Sequence, residues 1–379
     1  MEQKNYLHKN IVLSTLINNG YKAYFVGGIV RDYLLNNVYK DISLLDIDIT
    51  TNARPDEVKL LFKNTYDTGI KHGTITVVYD NIKYEITTFR KEYKYINNRF
   101  PKKVKYINKL KSDIKRRDFT INAIAMDKNL KIIDYFNGIS DIENKVIRTV
   151  GNPNIRFKED ALRMLRAIRF SCNLNFTINS NTLQSIMKNK SLLENISNER
   201  IYSEFKKAIN GDYIKNLKYL LIFNQFKKLN LYNVPEEKNY VLRLAYIIHN
   251  FENISVLTNL KVDKDTIIKV NKVLSNINYM NIYSRYGLKR LISNTDFETV
   301  KIILILKKIE FKLYNSIYSS NECIFINQLK ITGNDLIKNG IALEGVKIGE
   351  ILNKILDEVL KNPSLNEYTK LIELSKSFS

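Results

Sequence analysis

Residues 24–32 read Tyr24-Phe25-Val26-Gly27-Gly28-Ile29-Val30-Arg31-Asp32, an apolar strand signal that runs through a glycine pair into a helical stretch. Glycines at such a junction let backbone N–H groups approach phosphate oxygens at the start of a helix. Taken alone the pair signals a tight turn and nothing more. Arg31 follows as a forked donor able to clamp a triphosphate from the first turn of the predicted helix. The reading therefore depends on what lies nearby.

About twenty residues further on stands Leu45-Asp46-Ile47-Asp48-Ile49, where apolar and acidic side chains alternate. On a strand this places both carboxylates on one face, with Cα atoms about 6 to 7 Å apart, while the isoleucines enter the core. Two unpaired neighbouring carboxylates repel, so such a pair serves a cation better than it serves stability. Hard oxygen ligands suit Mg²⁺, which keeps water and substrate phosphates in its shell. A solvated strand end is the plainer reading of Asp-x-Asp in isolation. With the glycine turn, it describes half of a nucleotidyl-transfer site.

Further strand signals run over Ala23 to Val26, Leu44 to Ile49, Thr74 to Tyr79 and Lys83 to Phe89, the last two predicted as a hairpin about Asp80-Asn81. Val30 to Leu35 and Pro55 to Lys63 read as helices, the second with proline in its favourable first turn. From about Ile155 the apolar spacing changes to three and four, as in Ile348, Ile351, Leu352 and Ile355, which predicts helix after helix. The expected fold is an α+β head with a mixed sheet, followed by an all-α remainder.

Two more clusters carry dense charge. Lys115-Arg116-Arg117-Asp118-Phe119-Thr120-Ile121-Asn122-Ala123 sets a basic pair beside an apolar run that would anchor it at a pocket edge; a helix cap at Asp118 or Thr120 is the alternative. Glu159-Asp160-Ala161-Leu162-Arg163-Met164-Leu165-Arg166-Ala167-Ile168-Arg169-Phe170 repeats charge every three residues. On one helix face, Asp160 and Arg163 would present an acceptor beside a donor fork. Cytosine and adenine both show an amino donor next to a ring-nitrogen acceptor; uracil and guanine show the reverse. A rigid Asp/Arg pair could thus accept C and A and leave U and G with unmade hydrogen bonds. A face laced with salt bridges is the other reading of this spacing.

Composition narrows the function classes. The 379 residues imply about two or three domains, and no apolar run approaches the ~20 residues of a membrane span. A soluble cytoplasmic protein without a membrane role is expected. Cys172 and Cys323 are too few for a disulfide framework and too scattered for a zinc site. Sixty Lys+Arg against 39 Asp+Glu give a net charge of +21, a footprint that attracts a polyanion such as RNA. A residue usage crowded with Lys, Asn, Ile and Tyr accounts for part of that excess, but not for the placed arginines.

In order, Gly-Gly-x-Val-Arg-Asp, Asp-x-Asp, Arg-Arg-Asp-Phe-Thr-x-Asn-Ala and Glu-Asp-x-x-Arg resemble the motifs of the class II tRNA nucleotidyltransferase and bacterial poly(A) polymerase superfamily. The resemblance runs from about Tyr24 to Phe170 and resumes at Asn198-Glu199-Arg200-Ile201, which looks like the family's fifth motif, a brace for the nucleotide pocket. Arg200 and Glu204 also have the spacing of an ordinary i,i+4 pair. The stretch from Ile331 through Gly345 to Leu352 resembles the tail of short bacterial CCA-adding enzymes and favours that branch over poly(A) polymerase.

What the resemblance implies is a catalytic head over 1–150, a helical neck over 151–215 that reads the base, an RNA-binding body over 216–280 and a tRNA-binding tail over 281–379. Asp46 and Asp48 would be the catalytic carboxylates holding two Mg²⁺ ions. Gly28 and Arg31 would hold the triphosphate, Arg117 the ribose and phosphate region, Asp160 and Arg163 the base edge, and Arg166 and Arg169 further parts of the nucleotide. The implied reaction adds CCA to the tRNA 3′ end from CTP and ATP, by a monomer or weak homodimer. CC-only or A-only addition and poly(A) synthesis are close alternatives, and a noncatalytic RNA-binding protein is the alternative of another class.

The sequence departs from the family in places. The linker before the acidic pair contains Lys40-Asp41-Ile42-Ser43-Leu44 and is long, which makes Asp41 a second candidate ligand, and Asn36 stands where the family often has glycine. Between Arg90 and Val104, in the segment linked to the switch from C to A addition, Asn97 and Phe100 replace the usual residues before Pro101. Glu85 is a candidate third carboxylate, with a surface strand position the more expected role. His8, His72 and His249 are not clustered, so no histidine-metal phosphohydrolase domain is expected.

Overall fold

The computed structural model describes residues 10–36, 47–96, 100–249, 254–342 and 345–378. Asp41, Asp46 and Asn97 lie outside them. The chain divides into two units, residues 1–238 and 239–379.

The first unit is built on a seven-stranded mixed sheet. Strand β1 (Ala23–Val26) lies antiparallel between β2 (Ile47–Thr51) and β8 (Ile124–Met126). Beyond β2 come β5 (Ile82–Thr88), β4 (Thr74–Tyr79) and β3 (Thr65–Gly69), and beyond β8 comes β9 (Ile132–Asp134). Among the described residues only the β2–β5 contact in this sheet is parallel. The hairpin turn at Asp80-Asn81 has positive φ at both residues, 53° and 59°, the backbone that matches strand twist in a two-residue loop. Strands β6 (Arg90–Ile96) and β7 (Phe100–Tyr106) form a separate hairpin.

The expected helices are present with shifted ends. Gly28–Leu34 forms one, and Pro55–Leu61 the next with proline in its first turn. Just past the first of these helices Asn36 has φ 54°. That left-handed backbone is where glycine is favoured and asparagine tolerated, so Asn36 is accommodated there.

Beyond residue 150 the expectation of helices alone needs one amendment. Thr177–Ile178 is a strand that pairs in parallel with Val146–Ile147. Asn175, at φ 58°, ends the preceding helix in a left-handed turn and brings the chain back alongside, a local device that apolar spacing does not show. In the second unit the described residues are helical without strands, from Tyr240–Ile248 to Tyr368–Lys376. The stripe read from the sequence there is the core: Ile351 and Ile355 are buried with Val359 and Leu371, and Ile348 and Leu352 pack against them. No helix among the described residues is long and apolar enough to cross a membrane.

Candidate active site

The glycine turn is tighter than the sequence alone shows. Gly27, not Gly28, carries the positive φ of 77°, and a Cβ there would sit 2.7 Å from Asp48 Oδ2 and 3.3 Å from Arg117 Nη1. At Gly28 a Cβ would meet only ordinary contact, Arg31 Nη2 at 3.6 Å. Arg31 stands in the last turn of its short helix, not the first. Its Nε donates to Asp32 Oδ1 at 2.8 Å and its Nη1 to Asn122 Oδ1 at 2.8 Å. The turn thus packs three of the sequence motifs together.

Asp48 projects from β2 between Ile47 and Ile49, which are 0% and 1% exposed, so the alternation read from the sequence holds there. It lines a cleft of about 360 Å³ whose sheet wall also includes Thr74, Glu85 and Thr87. Glu85 is the direct partner of Asp48 in the parallel β2–β5 register. It is exposed and lines the same cleft. Among the described residues no three metal-ligating side chains cluster. The donor set nonetheless fits a hard divalent cation: a carboxylate cradled where no Cβ can stand, a second one register-matched beside it, and no sulfur or imidazole lining the cleft.

The cleft is also lined by Arg117 and Asp118, from the turn after the helix Leu110–Ile114, by Asp160 at a helix end, and by Arg163, Arg166 and Arg200 on helices. Asp160 and Arg163 do not share one helix, as the three-residue spacing predicts. One helix, Pro153–Glu159, ends at Asp160 with φ −141°, and the next, Leu162–Leu174, begins beyond it. The break leaves the Asp160 carboxylate accepting from Leu162 N at 3.2 Å and from Arg200 Nη2 at 3.2 Å. Arg163 is held by Glu159 Oε2 at 2.8 Å and by the carbonyls of Arg156 and Arg116 at 3.2 and 3.1 Å. Both side chains line the cleft, each held by its own brace.

Arg166 donates Nε and Nη2 to one oxygen of buried Asp118, at 2.8 and 2.5 Å. Burial alone would raise the Asp118 carboxyl, but the Arg166 guanidinium holds it well below the usual carboxylate range. Arg169 lies behind the cleft against Glu204, Nε to Oε2 3.1 Å, and burial lowers its pKa to about 10. Arg200 and Glu204 do not pair with each other; they serve Asp160 and the Arg166/Arg169 stripe respectively. Burial also lowers the Arg117 pKa, and its Nε is a buried donor without an acceptor among the described residues. A cleft-lining guanidinium with an unmade hydrogen bond is suited to an anion.

Neither Asp113 nor Glu92 stands out in the sequence. Asp113, fully buried, accepts from Thr50 Oγ1 (2.9 Å), Arg90 N (3.1 Å) and Arg116 Nε (2.9 Å), tying the Asp48 strand to the basic pair. Glu92 takes Arg90 Nε at 2.7 Å, Tyr95 Oη at 2.5 Å and Arg116 Nη1 at 3.4 Å. The signal available was Arg90 and Glu92 two apart on one strand face.

The family model described as Poly A polymerase head domain matches residues 23–148, and one described as a probable RNA and SrmB-binding site of polymerase A matches residues 175–229. The chain is 37% identical over 387 residues to the CCA-adding enzyme of Staphylococcus epidermidis, covering 96% of this chain and 95% of that one. The chain belongs to the CCA-adding enzyme family. The CCA-adding enzyme of Lactobacillus johnsonii is 38% identical over 96% of this chain and 95% of its own. The crystal structure of the Bacillus stearothermophilus CCA-adding enzyme in complex with CTP superposes with a TM-score of 0.81 at 31% identity, covering 98% of both chains. As a CCA-adding enzyme the chain is a nucleotidyltransferase, a class whose members depend on divalent metal.

Proposed function

We propose that this chain rebuilds CCA at the 3′ end of tRNA from CTP and ATP, without a nucleic-acid template and with release of pyrophosphate. The observation that carries the reading is one cleft lined by Asp48 on a strand, Asp160 at a helix break and Arg163 on a helix, in a member of the CCA-adding family. The four-part division into head (1–150), neck (151–215), body (216–280) and tail (281–379) belongs to the same proposal, with the RNA along the basic side.

Asp46 and Asp48 would hold Mg²⁺. Bound there, it supplies activation of the RNA 3′-hydroxyl and charge neutralisation at the leaving pyrophosphate. The Gly27 turn keeps the Asp48 carboxylate against the backbone, so its position is set before substrate arrives. Arg117 offers its unmade donor to the triphosphate or ribose region, and Arg31, Arg166 and Arg169 add positive charge around it.

Base choice follows from counting donors. An arginine has five N–H donors, and Arg163 uses three of them on Glu159, Arg156 and Arg116. The remainder can meet the ring-nitrogen acceptor of C or A, while Asp160, pinned by Arg200, accepts from the amino group. U and G would set donor against donor. Such rigidity is what turns two side chains into a selector.

End-labelled tRNAs terminating at successive 3′ positions, incubated with the protein, Mg²⁺, CTP and ATP, test the reading. Stepwise C, C and A incorporation is expected. Absence of any C incorporation ends the proposal, and long A tails would mark a poly(A) polymerase instead.

A further inference from the structure

Phe170 closes the arginine-rich helix Leu162–Leu174 from within: it is 7% exposed and meets Phe119 edge-on, centroids 5.7 Å apart at 82°. By itself this is an ordinary core aromatic. Its neighbours are not ordinary. The guanidinium carbons of Arg31, Arg166 and Arg169 lie 5.4, 5.5 and 4.2 Å from its ring centroid, all within the ~6 Å over which a cation is attracted by a ring face.

Three cations gathered on one side chain repel one another, and their placement needs compensation. Carboxylates supply part of it: Asp32 for Arg31, Asp118 for Arg166, and Glu204 for Arg166 and Arg169. The ring is the element common to all three. It also bridges two parts of the sequence, since Arg31 follows the glycine turn while Arg166 and Arg169 sit on the helix that carries Arg163. An aliphatic side chain of the same bulk would fill the space but would offer the guanidiniums no negative face.

We propose that Phe170 is a positioning residue of the nucleotide site, whose aromatic face holds the Arg31, Arg166 and Arg169 guanidiniums in place for the incoming nucleoside triphosphate. The inference rests on the nucleotide-binding reading of those arginines. It assigns Phe170 no contact with substrate; the ring acts through the arginines it holds. Nucleotide affinity then depends on the electron density of the ring at position 170 and not merely on its volume.

The test replaces Phe170 in the full-length protein with phenylalanines bearing one, two and three fluorines, which keep the ring shape while draining its negative face. Phe170→Leu is made in parallel, together with Arg166→Ala and Arg31→Ala. KM for CTP, kcat and melting temperature are measured for each. KM is expected to rise with each added fluorine, reaching about three- to tenfold at three, with kcat within about twofold and melting temperature nearly unchanged. Phe170→Leu should raise KM at least as far. A flat KM across the fluorine series while Arg166→Ala raises KM overturns the role of the ring and leaves the arginine reading standing. Unchanged KM in both arginine variants overturns that reading and the inference with it. A fluorine series that lowers melting temperature without moving KM makes Phe170 a packing residue and also overturns the proposal.

Discussion

The volume that a side chain at Gly27 would occupy is filled by the carboxylate of Asp48, whose Oδ2 lies 2.7 Å from the Cβ position. Gly27→Ala therefore has to move the carboxylate, the Arg117 guanidinium or the turn itself, and it adds the cost of a backbone (φ 77°, ψ −137°) that residues with a Cβ rarely adopt, about 1–3 kcal/mol. A shift of about 1 Å at reacting groups costs on the order of a hundredfold in rate. Nucleotide incorporation in Gly27→Ala should fall by that much while tRNA retention in a gel-shift assay is kept. Gly28→Ala, which meets only ordinary contact, should fall far less. Equal losses in the two variants would refute the cradle.

Asp46→Ala should abolish transfer and leave tRNA affinity nearly intact, because RNA binding is spread over many phosphate contacts. Titrating Mg²⁺ against EDTA in the unaltered protein should reverse activity in parallel. Normal turnover in Asp46→Ala would remove it from the metal site.

Arg163→Ala removes the donor half of the base-edge pair. Preference for CTP over UTP should drop by about 10- to 100-fold, the worth of one or two unmade hydrogen bonds. Arg200→Ala should move the same preference in the same direction by less, since it only frees Asp160. Incorporation from single nucleotides at matched concentration reads both; unchanged preference in Arg163→Ala would count against base reading by this pair.

Glu92 offers a pH test. Burial alone would raise its carboxyl, but Arg116, Arg90 and the Tyr95 hydroxyl hold it down to about 2. A carboxyl whose folded pKa is depressed stabilises the fold above its unfolded value of roughly 4.3, and that contribution is lost as pH falls toward the folded value. The acid loss of stability between about pH 4.5 and 2 should be shallower in Glu92→Gln than in the unaltered protein, by up to about 3 kcal/mol over the window. Parallel acid-unfolding curves would show that the network gives Glu92 no such role.

Much of the scaffold was legible because its signals are local. The alternation around Asp48, the two-residue turn at Asp80-Asn81 and the proline opening the helix Pro55–Leu61 are each written within a few residues, and backbone geometry obeys such short patterns. The helix break at Asp160 was misread because a charge every three residues looks the same whether or not the helix is continuous. Asp113 does not stand out for a different reason: beside Lys111 and Ser112 it reads as a solvated helix residue, and only the fold brings Thr50 and Arg90 to its carboxylate.

By itself, then, the amino-acid order determined the α+β head, the helical remainder, the acidic strand and the family these motifs resemble. Tertiary structure alone decided who pairs with whom: Arg166 with Asp118 across 48 positions, Arg200 with Asp160 across 40, and Gly27 against Asp48. Periodicity reports which face of an element is buried. The partner that meets that face is set by how loops close and cores pack, and no spacing along the chain encodes it.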